Sequence, residues 1–172
     1  FYFYQKRIQM SHLKKIGHKI FRYKNLINQV ESWKKSGDKI VFTNGCFDIF
    51  HRGHIELLAR TADLGDKLIV GLNSDSSIQK IKGNSRPIID EDSRALLLAT
   101  LSFVDAVILF SEETPIKLIT DIKPNILAKG GDYEKKSIVG HDIIKKNGGE
   151  VILIPYIDGF SSTNIINKIK KS

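Results

Sequence analysis

Cysteine, tryptophan, methionine and proline are all scarce in this sequence. Its 172 residues include one cysteine, one tryptophan, one methionine and four prolines. The lone thiol of Cys46 excludes an intramolecular disulfide and a multi-cysteine metal cage. The unbroken apolar runs are short, as at residues 95–98, whereas a helix that crosses a bilayer needs ~20 such residues. We therefore expect neither a disulfide-stabilised fold nor a membrane partner.

Charge is distributed unevenly along the chain. The formal net charge is +8, and residues 1–39 hold ten basic and two acidic side chains. That segment accounts for the whole excess, and residues 40–172 are balanced. A nucleic-acid-binding face is one interpretation, but the basic residues are not interleaved with regularly placed aromatics as in single-strand binders. We favour a solvated basic helix and expect no nucleic-acid partner.

Length and composition are those of one ordinary soluble domain. Hydrophobic residues make up 41% and charged residues 27% of the chain, which is typical of globular proteins. We interpret residues 1–38 as a basic N-terminal extension with a leading helix over residues 25–35, and residues 39–172 as the main domain. The first nine residues lack the apolar core of a secretory signal, which favours a cytoplasmic protein.

The main domain alternates short apolar runs with helical patterns. The runs predict five strands, at residues 39–44, 67–72, 106–110, 126–129 and 151–155. The helical patterns lie at residues 53–64, 90–101, 115–122, 140–147 and 161–168. Strands separated by helices predict an α/β fold with a doubly wound parallel sheet. Because such sheets bind ligands outside the carboxyl ends of their strands, we look for the chemistry just after each strand.

The first predicted strand ends in a dense polar cluster, with the sequence TNGCFDIFHRGH at residues 43–54. Gly45 lets the chain leave the strand tightly, and Gly53 opens a helix with His51 and His54 about one turn apart. A helix N-terminus favours an anion, and two imidazoles add donors for phosphate oxygens. A zinc site is a weaker interpretation, because no third ligand lies at a suitable spacing. Two surface histidines at a turn are the remaining alternative.

The segment GCFDIFHRGH resembles the first signature of the HxGH nucleotidyltransferase superfamily, which includes the cytidylyltransferases. The later segments, in the order expected of the heptose 1-phosphate adenylyltransferase family within it, are KGNSRPI at 82–88, Arg94, KGGDY at 129–133, IVG at 138–140 and GFSST at 159–163. The resemblance covers residues 39–168 and implies a Rossmann-like HxGH nucleotidyltransferase fold. It also implies transfer of AMP from ATP to D-glycero-β-D-manno-heptose 1-phosphate, with release of pyrophosphate, for lipopolysaccharide heptose synthesis.

The resemblance also assigns roles to residues. It implies catalytic roles for His51, His54 and Lys82. It implies nucleotide contacts for Thr43, Asn44, Cys46, Phe47, Asp48, Gly53, Arg94, Gly159, Ser161, Ser162 and Thr163. It implies contacts with the sugar phosphate for Lys80, Lys129, Gly131 and Asp132. Ser162 stands where the family usually has threonine, and it keeps the hydroxyl. The glycine beside Lys82, between two helical patterns, predicts that this lysine lies on a mobile loop.

ATP is the expected nucleotide, with Mg²⁺ bound to its phosphate oxygens and to water, so we assign no protein metal ligand. The resemblance implies a homo-oligomer. Cys46 is expected to be a packed thiol and not a nucleophile. One alternative is a cytidylyltransferase acting on glycerol 3-phosphate, although Tyr156 stands where that family typically has arginine. Another alternative is a nucleotide-binding regulatory module without turnover.

Overall fold

A computed structural model of the chain describes residues 11–131, 134–155 and 159–171. Six strands lie in these ranges: β1 (Ile20–Phe21), β2 (Ile40–Gly45), β3 (Lys67–Asn73), β4 (Ala106–Phe110), β5 (Ile126–Gly130) and β6 (Glu150–Ile154). The helices are α1 (His12–Gly17), α2 (Tyr23–Lys35), α3 (Arg52–Ala62), α4 (Asp75–Lys82), α5 (Glu91–Thr100), α6 (Ile116–Ile122), α7 (His141–Lys146) and α8 (Ser162–Lys170), with a short 3-10 helix at Lys135–Ser137.

The strands form one sheet in the order β1-β4-β3-β2-β5-β6, and every pairing is parallel. After the edge strand β1, the chain enters the middle of the sheet at β2, builds outward through β3 and β4, and then returns to place β5 and β6 on the other side. The strand order therefore reverses between β2 and β5, which is where ligands bind in such sheets. This arrangement confirms the predicted α/β doubly wound fold.

The predicted number of strands was wrong by one. Strand β1 is a two-residue edge strand in which Ile20 pairs with Val107 and Phe21 with Ile108 of β4. This strand forms because the edge of β4 is available for pairing. Two residues are too few to show a hydrophobic pattern in the sequence. Helix α2 follows directly and buries Leu26 against the sheet. Residues 20–35 therefore pack into the same core as the main domain.

The predicted helices of the main domain are present with ends shifted by one or two residues. Helix α4 was not predicted. Its N-cap is Ser74, whose side chain accepts a hydrogen bond from the Ser77 N–H. Lys82 is the last residue of this helix, so the prediction of a mobile loop at that lysine was wrong. The chain turns at the next residue, Gly83, which has a φ of 87° that glycine tolerates without strain.

The core has two parts, one on each face of the sheet. Along β2, Ile40 and Phe42 face one cluster of buried side chains, whereas Val41 faces the other. This alternation follows from the two-residue period of a strand. Helices α2, α6 and α7 contribute to the first cluster, and α3 and α5 to the second. None of the helices in the described ranges combines the length and the apolar character that a membrane crossing needs.

Candidate active site

A cleft with a volume of about 520 Å³ opens at the carboxyl ends of the strands, over the point where the strand order reverses. Strand ends and the loops after them supply its walls. Among the described residues, it is lined by Asn44, Gly45, Cys46, Phe47, Asp48, His54, Leu57, Asn73, Ile81, Lys82, Glu113, Thr114, Pro115, Lys129, Gly130, Ser137, Ile138, Val139 and Ser162.

The loop after β2 turns sharply into the cleft. Phe47 has a φ of 46°, a left-handed conformation that costs free energy for a residue with a bulky side chain. Its ring is buried and lies only 3.0 Å from the position that a Cβ on Gly45 would occupy. The ring also meets the His54 imidazole edge-on, with 5.3 Å between centroids. The strained turn thus places an aromatic contact against the predicted catalytic histidine.

His51 and His54 form a stacked pair at the start of α3. His51 is the N-cap of the helix, and its carbonyl accepts a hydrogen bond from the His54 N–H at 2.9 Å. The two ring centroids are 3.8 Å apart, with an interplanar angle of 19°. A Cβ at Gly53 would lie 3.1 Å from the His51 ring and 3.0 Å from the Cβ of Phe160. A side chain at this position would therefore require the His51 ring and Phe160 to shift by a few tenths of an ångström.

The surroundings of both imidazoles favour the neutral form. Burial, then repulsion from His51 and Lys82, lowers the pKa of His54 to about 4, and Asp48 offsets a part of this effect. Burial also lowers the pKa of His51. The Nδ1 atoms of both rings are buried and have no hydrogen-bond partner among the described residues. Each neutral ring has one N–H donor to offer and one nitrogen that can take up a proton.

Asp48 joins the loop after β2 to the segment before α5. Its Oδ1 accepts hydrogen bonds from the N–H groups of Ile88 at 2.8 Å and Ile89 at 3.0 Å. Its Oδ2 forms an ion pair with Arg86 at 2.6 Å. These contacts engage both oxygens with protein groups, and the predicted nucleotide contact of Asp48 stays a prediction. Sequence reasoning assigned no role to Arg86.

Arg94 is buried behind the cleft lining. Its Nη1 donates to the carbonyl oxygens of Cys46 at 2.6 Å and Asn73 at 2.9 Å, and its Nε donates to that of Ile89 at 2.9 Å. Its Nη2 donates to Asp75 Oδ1 at 2.6 Å. The predicted nucleotide contact of Arg94 stays a prediction, and the geometry directs the guanidinium toward protein oxygens instead.

Two lysines reach the cleft from opposite sides. Lys129, in β5, donates from Nζ to both the carbonyl oxygen and Oδ1 of Asn44, each at 3.2 Å. Burial lowers the pKa of this lysine. Lys82 ends α4 and has an exposed side chain that lines the cleft. Lys80 lies two residues before Lys82 on the same helix. It is exposed and does not line the cleft.

The N-terminus of α8 lies beside the loop after β2. Ser161 caps the helix, its Oγ accepting from the Asn164 N–H at 3.0 Å. Ser162 donates from Oγ to the carbonyl oxygen of Ile49 at 3.1 Å. Thr163 and Gly159 are exposed nearby. The second predicted signature is thus joined to the first by a direct hydrogen bond.

The cleft brings together a large part of the predicted site. Its lining includes Asn44, Cys46, Phe47, Asp48, His54, Lys82, Lys129 and Ser162. The predicted residues outside the lining are Thr43, His51, Gly53, Lys80, Arg94, Gly131, Gly159, Ser161 and Thr163. Asp132 lies outside the described residues. Sequence reasoning missed Asn73 and the residues 113–115, although all of them follow strands and the strand-end rule could have found them.

Comparison with known proteins shows to which family the chain belongs. The model of the cytidylyltransferase-like family matches residues 42–168, which include both helix N-termini at the cleft. The chain belongs to the cytidylyltransferase-like family. It is therefore a nucleotidyltransferase, as the HxGH motif predicted.

Individual relatives of this nucleotidyltransferase are bifunctional proteins. It is 47% identical to the bifunctional protein HldE of Geobacter metallireducens, over 90% of this chain and 31% of the relative. It is 54% identical to HldE of Campylobacter concisus, over 80% of this chain and 28% of the relative. The chain thus spans less than a third of the length of these curated relatives. The crystal structure of the lipopolysaccharide core biosynthesis protein from Thermoplasma volcanium has 34% identity and a TM-score of 0.55, covering 70% of this chain and 98% of that one.

Proposed function

We propose that this nucleotidyltransferase transfers AMP from ATP to D-glycero-β-D-manno-heptose 1-phosphate, which yields ADP-heptose and pyrophosphate. The observation that carries the proposal is the cleft at the reversal of strand order, where the neutral imidazole of His54, the Lys82 ammonium and the N-terminus of α8 converge. Its volume of about 520 Å³ lies within the range of small-molecule sites. The heptose acceptor follows from the family resemblance.

The reaction needs positioning and charge stabilisation, and no side-chain nucleophile. An oxygen of the sugar phosphate attacks the α-phosphorus of ATP, and the bond to the bridging oxygen of the leaving pyrophosphate breaks. Negative charge develops on the oxygens around the α-phosphorus, where preorganised donors are worth most. We assign a hydrogen-bond donor of this kind to His54 and a charge-offsetting role to Lys82. The first N–H groups of α3 and α8 add further donors for phosphate oxygens.

The acceptor is assigned to the neighbourhood of Lys129. This lysine extends from a strand, is half-buried, and is oriented by two hydrogen bonds to Asn44. A cation held in this way binds the sugar phosphate before and during the reaction alike. Lys80 and Gly131 would assist at the edges of the site.

Magnesium would enter as part of the ATP complex. The described residues contain no group of three or more histidine, cysteine, aspartate or glutamate side chains arranged to hold a metal ion. In the cleft lining, Asp48 is engaged by Arg86 and two backbone N–H groups, and Glu113 is exposed. These residues do not fit a protein cage for Mg²⁺, so we derive no step through it.

The test is pyrophosphate release, followed with each of the four nucleoside triphosphates against heptose 1-phosphate, glycerol 3-phosphate and no acceptor. We expect release with ATP and heptose 1-phosphate only. Release with CTP and glycerol 3-phosphate would establish the alternative cytidylyltransferase. Nucleotide binding without release for any pair would favour the regulatory module. His54→Ala controls for contaminating activity in the preparation.

The place of the product in metabolism is part of the same proposal. ADP-heptose would supply lipopolysaccharide heptose synthesis in the cytoplasm, where ATP is available. The similarity to a lipopolysaccharide core biosynthesis protein supports this assignment. The homo-oligomeric state implied by the resemblance stays a prediction, which sedimentation analysis of the purified chain would test.

A further inference from the structure

The side chain of Arg94 connects segments that are distant in the sequence. It is only 1% exposed, yet its guanidinium donates to oxygens of four residues, which belong to the loop after β2, the end of β3, the start of α4 and the turn before α5. A buried guanidinium is costly unless its donors are paired. Here the pairing is extensive, and the distances are 2.6–2.9 Å.

Two of the four partners of Arg94 lead to the candidate catalytic groups. The Cys46 carbonyl precedes the strained turn at Phe47, whose ring contacts His54. The Asp75 carboxylate belongs to the first residue of α4, and Lys82 is the last residue of that eight-residue helix. A helix is a stiff rod of ~1.5 Å per residue, so fixing its first turn also restricts where its end can lie.

We propose that Arg94 is a positioning residue, which holds the start of α4 against the loop after β2 and so sets the placement of Lys82 relative to His54. It does so through protein oxygens and not by touching the nucleotide. The planar fork of the guanidinium matters, because a lysine ammonium cannot span the same set of acceptors. This inference rests on the proposed function for its kinetic consequences, but its structural claim can be tested without any substrate.

The sharpest variant is Asp75→Asn. It removes one charged partner of Arg94, and because the Asp75 side chain is 33% exposed, the variant is expected to fold where Arg94 variants could fail. The matched control is Asp92→Asn, the same change at an exposed residue in the first turn of α5. Both variants lose one helix-start carboxylate, and only Asp75 contacts Arg94.

The kinetic expectation is a fall in kcat between about 10- and 100-fold for Asp75→Asn, since a small displacement of a catalytic group has effects of that size. The dissociation constant of ATP should change less than about twofold, and Asp92→Asn should match the wild type. In a Lys82→Ala background, Asp75→Asn should have little further effect on kcat, because the group that it displaces is already gone. A merely structural role would instead give additive losses.

Alkylation of Cys46, the sole cysteine, reports the same geometry without turnover. We expect iodoacetamide to label Asp75→Asn and Arg94→Lys several-fold faster than the wild type and Asp92→Asn. In the first variant, the guanidinium that holds the Cys46 carbonyl loses its charged partner, and in the second the guanidinium itself is gone. If the wild type releases no pyrophosphate with any substrate pair, the proposed function fails, and labelling alone still decides the positioning claim. The positioning role of Arg94 would be overturned if Asp75→Asn had the same labelling rate and kcat as Asp92→Asn. It would also be overturned if Asp75→Asn lost ATP affinity as much as kcat, or if its effect on kcat were fully additive with that of Lys82→Ala.

Discussion

The two flanks of the cleft are held together by different kinds of contact. The β2–β4 flank consists of the segments that follow β2, β3 and β4, and buried charged groups tie the first two of these segments to each other. Asp48 and Arg94 provide these ties. The β5–β6 flank consists of Lys129 and the described residues that follow β5 and β6. Its side-chain hydrogen bonds to the other flank run from Lys129 to Asn44, near the end of β2, and from Ser162 to Ile49, in the loop after β2.

This difference indicates that the two flanks have different roles in the reaction. Hydrogen bonds to charged groups are roughly twice as strong as those between neutral groups. Those of Asp48 and Arg94 are 2.6–3.0 Å long, whereas those of Lys129 are 3.2 Å long, so the β2–β4 flank is the more firmly preorganised. Side chains on this flank are suited to stabilising the transition state, because a small displacement of a catalytic group lowers the rate strongly. Side chains on the β5–β6 flank are suited to binding the substrate. Changes on the first flank should therefore act mainly on kcat, and changes on the second mainly on KM.

The largest expected effect is that of His54→Ala on the β2–β4 flank. Losing one preorganised donor should lower kcat about 10²–10³-fold, or about 3–4 kcal/mol. Steady-state pyrophosphate release measures it, and His141→Ala, at the start of α7, is the matched control. A His54→Ala enzyme that keeps more than half of the wild-type turnover would remove His54 from the chemistry.

The pH dependence of folding tests the burial of the same histidine. The pKa of His54 falls from 6.5 to about 4 on folding, so the unfolded state binds more protons between these values. The stability that this group provides is complete above about pH 6.5 and is lost as the pH falls toward 4. The loss amounts to about 3 kcal/mol.

Urea unfolding at several pH values between 4 and 7.5 measures this slope. His54→Asn should flatten it, whereas His141→Asn should keep it. An unchanged slope in His54→Asn would mean that other groups cause the acid sensitivity of the fold.

The contrast between Lys82→Ala and Lys129→Ala tests the division between the flanks most directly. Lys82 ends α4 and so belongs to the β2–β4 flank, and its loss should lower kcat more than substrate affinity. Lys129 is oriented by Asn44, so its loss should raise KM for heptose 1-phosphate about tenfold, ~1.4 kcal/mol, with KM for ATP nearly unchanged.

Initial rates with each substrate varied in turn decide between these outcomes, and Lys145→Ala, an exposed lysine of α7, controls for the loss of charge. If Lys129→Ala weakens ATP instead, the acceptor lies on the other flank.

The smallest effect is expected on stability, from removing the hydrogen bond that Ser162 forms with the other flank. Ser162→Ala removes the donor to the Ile49 carbonyl and should lower stability by about 1 kcal/mol. Ser162→Thr keeps a hydroxyl and should lose less. Thermal unfolding of the two variants measures the difference. Equal losses would show that the side-chain volume at this position matters more than the hydrogen bond.

The apolar runs of the sequence predicted the central strands of the sheet correctly. The runs at residues 67–72 and 106–110 are continuous and apolar because both faces of those strands are covered by helices, and they appear as β3 and β4. Helix α4 was missed because its sequence, DSSIQKIK, has few apolar positions and three residues that compete with the backbone for hydrogen bonds. The error about Lys82 followed from that omission.

By itself, the sequence determined the α/β class, the strand that leads into the HxGH turn, and the family, because periodicity and motif spacing are local properties. Only the tertiary structure decided that Ile20 and Phe21 add a sixth strand, since an edge strand needs a partner edge and no pattern of its own. Only the tertiary structure could also show what Arg94 binds. Its acceptors are carbonyl oxygens and one carboxylate, 5 to 48 residues away along the chain. Every residue carries a carbonyl group, so no sequence pattern marks the ones that a buried guanidinium will reach.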